Sequence, residues 1–500
     1  MKAEDGSVIK YWVFQKNIPI LDYKPQDVIS FGSSKDYTAL QGVTTFRGNN
    51  YRDSPSYGTR DIKGKKLEIV WTRDLGAITG DGSYWPGTGW TGQPLIIHWP
   101  EAVKNIMNIN PEMKAKDLTE VIYPTLDGNI YFVDLETGKP TRDKINVGFP
   151  LKGTGIIDPR GYPIFCTGMG INENSGKFTD FKYLMFSLID QKPLYDIFGR
   201  DPVAFREWGA FDSSAIIDAK TDTLIEPGEN GLIYKVKLNT NYDQKAGTIA
   251  ISPQLTKFRY QDTANKEGIA SAQGVESSAA YYKNFMYIAD NGGTIMCIDL
   301  NTMKPAWAYH SGDDTDTSPV LEETSDGVFL YTANEADKRG EATKQPVNCN
   351  IRKLNALTGE LVWQKDYLCQ YNYYINGGSL GTPLIGKNDI SDLIIFPICF
   401  TGSTSDGMLV ALDKKTGKEV WSRHLSTYSW SSPVDIQSSD GKTYAIFCDF
   451  AGNMHLFDPR TGKDLDVISL GRNIESSPAV YNDMIVVGSY APKMFGIRIK

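Results

Sequence analysis

A short phrase that recurs along the chain restricts its fold more than any other feature of the sequence. The phrase Asp-Lys-Lys-Thr-Gly at 413–417 follows an alternating apolar run and precedes a second run that carries Trp421. Related phrases begin at Asp134, Asp299, Asn355 and Asp458. Because Asp accepts backbone N–H groups and Gly supplies a positive φ, each phrase predicts a tight turn between antiparallel strands. Strand-sized units repeated at intervals of roughly 40 to 60 residues predict a β-propeller.

The phrase also carries a family resemblance. The segment Ala-Leu-Asp-Lys-Lys-Thr-Gly-Lys-Glu-Val-Trp at 411–421 resembles the tryptophan-docking repeat of PQQ-type β-propellers. That repeat occurs in quinoprotein alcohol dehydrogenases and in the non-catalytic lipoprotein propeller of the bacterial outer-membrane assembly machinery. Trp307 and Trp363 hold the same offset, whereas Arg142 and Asp466 replace the tryptophan in two copies. The resemblance runs from about Thr44 to the C-terminus and is closer to the non-catalytic members. It implies the fold more strongly than any activity, because the repeat is a packing device.

The chain divides into seven four-stranded units and one unit that both ends share. The seven units span 93–147, 148–201, 211–261, 274–312, 313–369, 376–426 and 428–470. Three further strands within 476–499 lack a fourth, and a lone strand at 67–75 carries Trp71 in the docking position. We therefore predict an all-β, eight-bladed propeller of four-stranded antiparallel blades, closed by the N-terminal strand, which removes exposed sheet edges. Seven blades are the alternative. Residues 1–66 are predicted to be a leader that packs on the propeller formed by 67–500.

Candidate binding residues fall in loops that a propeller places on one face, the top. Four carboxylates precede innermost strands at equivalent positions: Asp212, Glu276, Asp316 and Glu475. Turned inward, they would form an acidic ring able to hold a divalent cation, but solvation or local N–H bonds are the alternative. His and Cys show no metal-ligand spacing, and we predict no metal site.

Four tryptophans also fall in or beside the top-face loops: Trp85, Trp90, Trp208 and Trp430. They suit an aromatic platform for a sugar ring, a peptide or a planar cofactor, or else they pack the loops together. Residues 201–208 are predicted to form a short helix with Asp201 as its N-cap. Loops on a rigid scaffold commonly carry binding residues, which favours this face as the functional one.

Composition excludes several classes of function. The formal net charge of −8 argues against a nucleic-acid partner, and no apolar run approaches the length of a membrane span. The first twelve residues are too polar for a signal peptide, so the protein is either cytoplasmic or preceded by a leader that this sequence lacks. Because relatives with this repeat are mostly exported, the resemblance implies an extracytoplasmic protein whose leader is absent here. Six cysteines stand apart, mostly in apolar strands, and Cys349 and Cys369 flank one hairpin where a disulfide is possible.

Quinoprotein dehydrogenases resembling this chain need a vicinal cysteine pair above the quinone, a Trp beneath it, and an Asp beside calcium. No two cysteines are adjacent here, so we predict no cofactor, and PQQ with calcium is the alternative. We predict a monomeric, non-catalytic propeller whose top face binds a protein segment or a cell-envelope glycan. The alternative is an enzyme, either a divergent PQQ-dependent dehydrogenase or a carbohydrate-active propeller with paired carboxylates.

Overall fold

Eight antiparallel sheets form a closed ring of blades in the computed structural model, which describes residues 1, 6–89, 92–263 and 273–500. The second and third strands of the blades are almost wholly buried, as in Leu393–Cys399 and Thr443–Cys448. Neighbouring blades pack on both faces of these strands, which explains why the sequences of these strands are continuous apolar runs. The predicted eight-bladed, all-β propeller is confirmed.

The strands of the first four blades are given from the axis outward. Blade 1 contains Leu95–His98, Thr119–Pro124, Asn129–Asp134 and Ile145–Asn146. Blade 2 contains Ile156–Ile157, Ile164–Gly168, Lys182–Ser187 and Pro193–Phe198. Blade 3 contains Ile216–Asp218, Thr223–Pro227, Leu232–Lys237 and Gln254–Asp262. Blade 4 contains Ala280–Tyr282, Phe285–Ala289, Thr294–Asp299 and Lys304–His310.

The remaining blades follow the same order. Blade 5 contains Val320–Thr324, Gly327–Ala333, Val347–Asn355 and Leu361–Cys369. Blade 6 contains Leu384–Ile385, Leu393–Cys399, Gly407–Asp413 and Glu419–Leu425. Blade 7 contains Val434–Gln437, Thr443–Cys448, Asn453–Asp458 and Lys463–Ser469. Blade 8 contains Ala479–Tyr481, Met484–Ser489, Lys493–Ile499 and Leu67–Asp74.

Smaller elements decorate the ring. Three hairpins pair Ala77–Gly80 with Ser83–Pro86, Glu173–Asn174 with Lys177–Phe178, and Asn241–Asp243 with Thr248–Ala250. The short strands Glu335–Ala336 and Gly377–Gly378 pair beside blade 6. In the part of the chain that the structure describes, the α-helices are Glu101–Ile106, Pro111–Lys114 and Lys338–Thr343, and the 3-10 helices are Ser34–Asp36 and Asn388–Ile390. Among the residues described, no helix has the length and apolar character that a membrane crossing requires.

The two ends of the chain meet in blade 8. Leu67–Asp74 pairs antiparallel with Lys493–Ile499, so that Trp71 lies opposite Gly496. Ser56–Tyr57 adds a parallel strand at the inner edge of the same sheet. This pairing confirms the predicted closure of the ring, which leaves no blade with three strands.

Four recurring tryptophans each join their own blade to the next. The indole N–H groups of Trp71, Trp307, Trp363 and Trp421 donate to the carbonyl oxygens of Leu135, Ala356, Lys414 and Pro459 at 2.7, 2.8, 3.0 and 2.9 Å. Each ring covers the glycine of the next phrase, where φ is positive and an added Cβ would lie 2.6 to 2.7 Å from a ring atom. In blade 1 the Arg142 guanidinium takes this place and donates to the Leu188 carbonyl at 2.8 Å.

Hydroxyl groups link the innermost strands around the axis. Backbone N–H groups donate to the hydroxyl of the following blade in the pairs Ser214 to Ser278, Ser278 to Ser318, Thr382 to Ser432 and Ser432 to Ser477, at 2.8 to 3.2 Å. The small residues that begin these strands therefore allow a close approach and satisfy backbone groups at the point of convergence.

A segment that precedes the first blade occupies the central axis of the propeller. Gln41–Val43 pairs with the innermost strand of blade 1, and two fully buried arginines follow it. Arg47 donates to the carbonyls of Pro383 and Pro433 at 2.7 and 2.8 Å, and Arg52 to those of Ser214 and Ala279 at 2.7 and 2.8 Å. Burial lowers the pKa of Arg47 to about 10. Protein therefore occupies the axis beneath the top face.

The first strands of the chain widen blade 3. Ile9–Gln15 pairs antiparallel with Gln254–Asp262 along its full length, and Ile18–Ile20 folds back on it. The low periodicity of this part of the sequence did not predict a strand.

The predicted helix at 201–208 is wrong, because this segment forms turns. The Asp201 carboxylate does accept the Val203 N–H at 3.1 Å, as an N-cap would. The Val203 carbonyl accepts from the Arg259 guanidinium at 2.6 Å, which holds this segment against the outer strand of blade 3.

Candidate functional site

Six carboxylates from blades 3, 4 and 5 converge on the top face, where the blade-to-blade connections lie. One oxygen from each of Asp212, Glu229 and Glu276 lies within 4.8 Å of the others, and we call this the first carboxylate cluster. The same holds for Asp314, Asp316 and Glu335, the second carboxylate cluster. Together the two clusters form what we call the acidic mouth.

Two cations and one amide contact the first carboxylate cluster. Lys152 lies with its Nζ 2.6 Å from Asp212 Oδ2, and Arg206 lies 3.8 Å from Glu229. The Asn291 side chain donates to Glu276 Oε1 at 2.6 Å. Burial by itself lowers the pKa of Lys152, but the surrounding carboxylates outweigh it and raise that pKa, so the ammonium is charged.

One ammonium contacts the second carboxylate cluster. Lys338, in the helix Lys338–Thr343, forms an ion pair with Asp314 Oδ2. Asn376 donates to Glu335 Oε2 at 2.7 Å. The adjacent Asp313 is paired with Arg339 at 3.1 Å. The mouth as a whole therefore holds more carboxylates than cations.

Five oxygens of the acidic mouth are buried and accept no hydrogen bond from a described donor, although the Asp212 and Glu229 carboxyls lie within hydrogen-bond reach of each other, as do those of Asp316 and Glu335. They are Asp212 Oδ1, Glu229 Oε1, Asp314 Oδ1, Asp316 Oδ1 and Glu335 Oε1. A buried polar atom that stays unpaired costs about 1–3 kcal/mol. Oxygens in such surroundings favour either a proton or a cation that would satisfy them.

Burial dominates the titration of this site. It raises the pKa of Glu229, Asp316 and Glu335 well above the ordinary value, and nearby like charges raise it further. The pKa of Asp314 rises to about 7 through burial, although the Lys338 ammonium opposes the rise. Such shifts occur at functional sites and also in structural charge networks.

The structure brings three of the four predicted carboxylates together. Asp212, Glu276 and Asp316 all lie in the acidic mouth. Glu475 lies in blade 8, where its carboxylate accepts from Asn473 at 3.0 Å and from the Tyr490 hydroxyl at 2.6 Å. The carboxylates therefore gather on one side of the axis, with Glu475 held by its own neighbours.

The predicted tryptophans lie apart from one another. Trp85, in the hairpin strand Ser83–Pro86, lies under the Lys152 ammonium, with 5.8 Å from Nζ to the ring centroid. Trp208 packs edge-to-face on Phe181 at 4.7 Å, and Trp430 packs near Tyr428 at 5.7 Å. Trp90 lies outside the described residues. Of the tryptophans described, only Trp85 is linked to the acidic mouth, through Lys152 and Asp212.

Sequence reasoning missed half of the acidic mouth. Glu229 lies between the second and third strands of blade 3, and Glu335 follows the second strand of blade 5. Loops of this type open on the top face, so their carboxylates were candidates on topology alone. Asp314 stands two residues before Asp316, in the connection between blades 4 and 5. No local pattern distinguishes these three from ordinary surface carboxylates.

The fold and the repeat define a propeller of the PQQ-like class. A family model described as outer membrane protein assembly factor BamB matches residues 353–495. The chain is 26% identical over 161 residues to a quinoprotein ethanol dehydrogenase of Pseudomonas aeruginosa, which is 31% of this chain and 24% of that protein. It is 25% identical over 158 residues to a 1-butanol dehydrogenase (quinone) of Thauera butanivorans, covering 31% and 23%. The chain thus matches about a quarter of the length of these relatives, 24% and 23%.

A solved structure has a similar fold. BamB from Moraxella catarrhalis superposes with a TM-score of 0.50 at 16% identity, covering 76% of this chain and 93% of that chain. At this identity the similarity shows the fold alone, and the sequence matches above support a PQQ-like propeller family.

The residues at the mouth do not fit a PQQ site of the kind that the resemblance implies. All six cysteines are buried free thiols and no two are adjacent, so no cysteine pair covers the mouth. Cys349 and Cys369 likewise stand as separate thiols on paired strands. PQQ itself carries carboxylates, which the acidic mouth would repel as long as no cation is bound there.

Proposed function

We propose that this chain is a non-catalytic, extracytoplasmic binding module whose top face binds a positively charged protein segment. The observation that carries the proposal is the convergence of six carboxylates at the acidic mouth. A site with excess negative charge attracts cationic groups and repels anionic ones. The family description, an outer membrane protein assembly factor, supports placing the chain in the cell envelope.

The shape of the ring supports entry of the ligand from the top. Arg47 and Arg52 occupy the axis, so a segment would lie across the mouth rather than thread through the ring. Trp85 lies at the edge of the mouth in a half-buried position, where its ring is able to pack on an apolar part of the same segment. A charged mouth with an adjacent aromatic ring suits Lys or Arg side chains flanked by apolar residues.

A protein segment is favoured over a glycan by the placement of the aromatic residues. Stacking of sugar rings needs exposed aromatic faces close together, whereas Trp208 and Trp430 pack against Phe181 and Tyr428. Neutral glycans also gain little from a cluster of carboxylates.

Binding of short labelled peptides, measured by fluorescence polarisation at low salt, tests the proposal. We expect a Lys-rich peptide to bind, its Glu-rich counterpart not to bind, and the affinity to fall as salt screens the charges. The double variant Asp212→Asn, Glu276→Gln should weaken binding about tenfold or more, which corresponds to about 1.4 kcal/mol. The matched control is Glu136→Gln, Glu360→Gln, which removes two exposed carboxylates from the turns on the opposite face.

Three outcomes would overturn the proposal. Equal binding of the two peptides would show that charge does not select the ligand. Equal losses in the mouth and control variants would place binding elsewhere. Dye-linked oxidation of an alcohol after addition of PQQ and calcium would instead establish a quinoprotein dehydrogenase.

A further inference from the structure

The second carboxylate cluster has the geometry of a cation site within a single blade. Asp314 and Asp316 precede the innermost strand of blade 5, and Glu335 follows the second strand of that blade. One oxygen from each residue lies within 4.8 Å of the other two. Calcium binds oxygens at 2.3–2.6 Å, so oxygens up to about 5 Å apart can share one ion.

Unpaired oxygens point to a missing ligand in this cluster. Asp314 Oδ1, Asp316 Oδ1 and Glu335 Oε1 are each buried and accept no hydrogen bond from a described donor, and the Asp316 and Glu335 carboxyls lie within hydrogen-bond reach of each other, where a proton or a cation would satisfy both. The side chains that carry them are more than nine-tenths buried, with 7%, 8% and 0% of their surface exposed. Ordinary surface carboxylates would instead turn these atoms to water.

Charge distinguishes the two clusters of the acidic mouth. Lys152 and Arg206 contact the first carboxylate cluster, which leaves it with one excess negative charge when all its groups are ionised. Among the described residues, Lys338 is the one cation that contacts the second carboxylate cluster, which leaves that cluster with two excess negative charges when all its groups are ionised. A buried excess of two negative charges is costly, and a divalent cation would neutralise it.

We propose that Asp314, Asp316 and Glu335 bind one calcium ion. The three carboxylates supply three or more oxygens, and water from the open mouth completes the six to eight that calcium takes. We expect magnesium to bind less well, because it demands near-octahedral ligands at about 2.1 Å and gives up its water reluctantly, whereas calcium accepts irregular sets of oxygens.

Calcium would also fasten an insertion to the ring. Glu335 belongs to the short strand Glu335–Ala336, and the helix Lys338–Thr343 follows directly. An ion bound by Glu335, Asp314 and Asp316 would link the insertion formed by this strand and helix to the connection between blades 4 and 5. The inference does not depend on the proposed function, since it requires no protein ligand.

Isothermal titration of the chelator-treated 500-residue chain with calcium chloride tests this proposal. We expect one ion per chain with a Kd on the order of 10⁻⁴ to 10⁻³ M, the range of weak extracellular sites, and a higher Tm in calcium than in magnesium. The variant Asp316→Asn, Glu335→Gln should bind calcium at least about tenfold more weakly. The matched variant Asp212→Asn, Glu229→Gln changes the first carboxylate cluster and should retain binding.

Three results would contradict the proposed calcium site. No heat and no change in Tm of the unaltered protein at 10-fold above the expected Kd range would refute it, whether or not the variants fold. Equal loss in both double variants would assign the ion to the mouth in general. A gain in stability from Asp316→Asn, without any response to calcium, would show that Asp316 and Glu335 share a proton instead. None of these results bears on peptide binding, which is measured separately and without calcium.

Discussion

Replacement of Trp71 by alanine should destabilise the ring as strongly as the loss of a fully buried aromatic residue. Trp71 is 8% exposed, its indole N–H donates to the Leu135 carbonyl at 2.7 Å, and its ring lies against Gly138. Truncation of a buried Trp costs about 3–5 kcal/mol. Trp71→Phe keeps most of the packing but leaves the Leu135 carbonyl unpaired, for which we expect a loss of about 1–3 kcal/mol.

The matched control for this prediction is Trp363→Ala. Trp363 has nearly the same surroundings, with 9% exposure and an N–H that donates to the Lys414 carbonyl at 3.0 Å. It joins consecutive blades within the chain, whereas Trp71 lies on the strand that closes the ring. We therefore expect equal costs at equilibrium, with faster unfolding for Trp71→Ala if blade 8 opens first.

Guanidinium unfolding, followed by both circular dichroism and tryptophan fluorescence, measures these costs where the two transitions coincide. A loss below about 1 kcal/mol for Trp71→Ala would refute the reasoning, because neither the packing nor the hydrogen bond would then contribute as the structure indicates.

Three further predictions concern local features. Gly417→Ala should cost at least about 1 kcal/mol in the same assay, since the residue has a φ of +69° and the new Cβ would lie 2.7 Å from the Trp363 ring; an unchanged midpoint would contradict the docking geometry. In an NMR titration His455 should show a pKa above 6.5, because hydrogen bonds to Asp449 and Asp464 outweigh the lowering by burial. This histidine therefore stabilises the fold below pH 6.5 and loses that contribution as the pH rises through its raised pKa, and a measured pKa below 6.5 would contradict the network. The six thiols should react with a thiol reagent only as fast as the protein unfolds, since all are buried; rapid reaction of any of them in the native protein would contradict this.

Part of the fold depends on local sequence patterns and could therefore be predicted from the sequence. The Thr-Gly phrases and the offset tryptophans set the turn, the outer strand and the contact to the next blade within some ten residues each. The three-stranded C-terminus and the lone strand with Trp71 predicted how the ring closes. These features depend on strand periodicity and turn chemistry, which neighbouring residues determine.

The acidic mouth depended on the tertiary structure. Strand pairing within blade 3 brings Glu229 to Asp212, and strand pairing within blade 5 brings Glu335 to Asp316. The neighbouring blades add Glu276 and bring the two clusters into one mouth, and nothing in the local sequence marks Glu229 or Glu335. The filling of the axis by Arg47 and Arg52 is a long-range arrangement of the same kind, in which carbonyl groups of four blades converge. Burial and proximity between distant segments arise only when the ring closes. The sequence by itself therefore determined the scaffold, and the closed ring decided which carboxylates share a site.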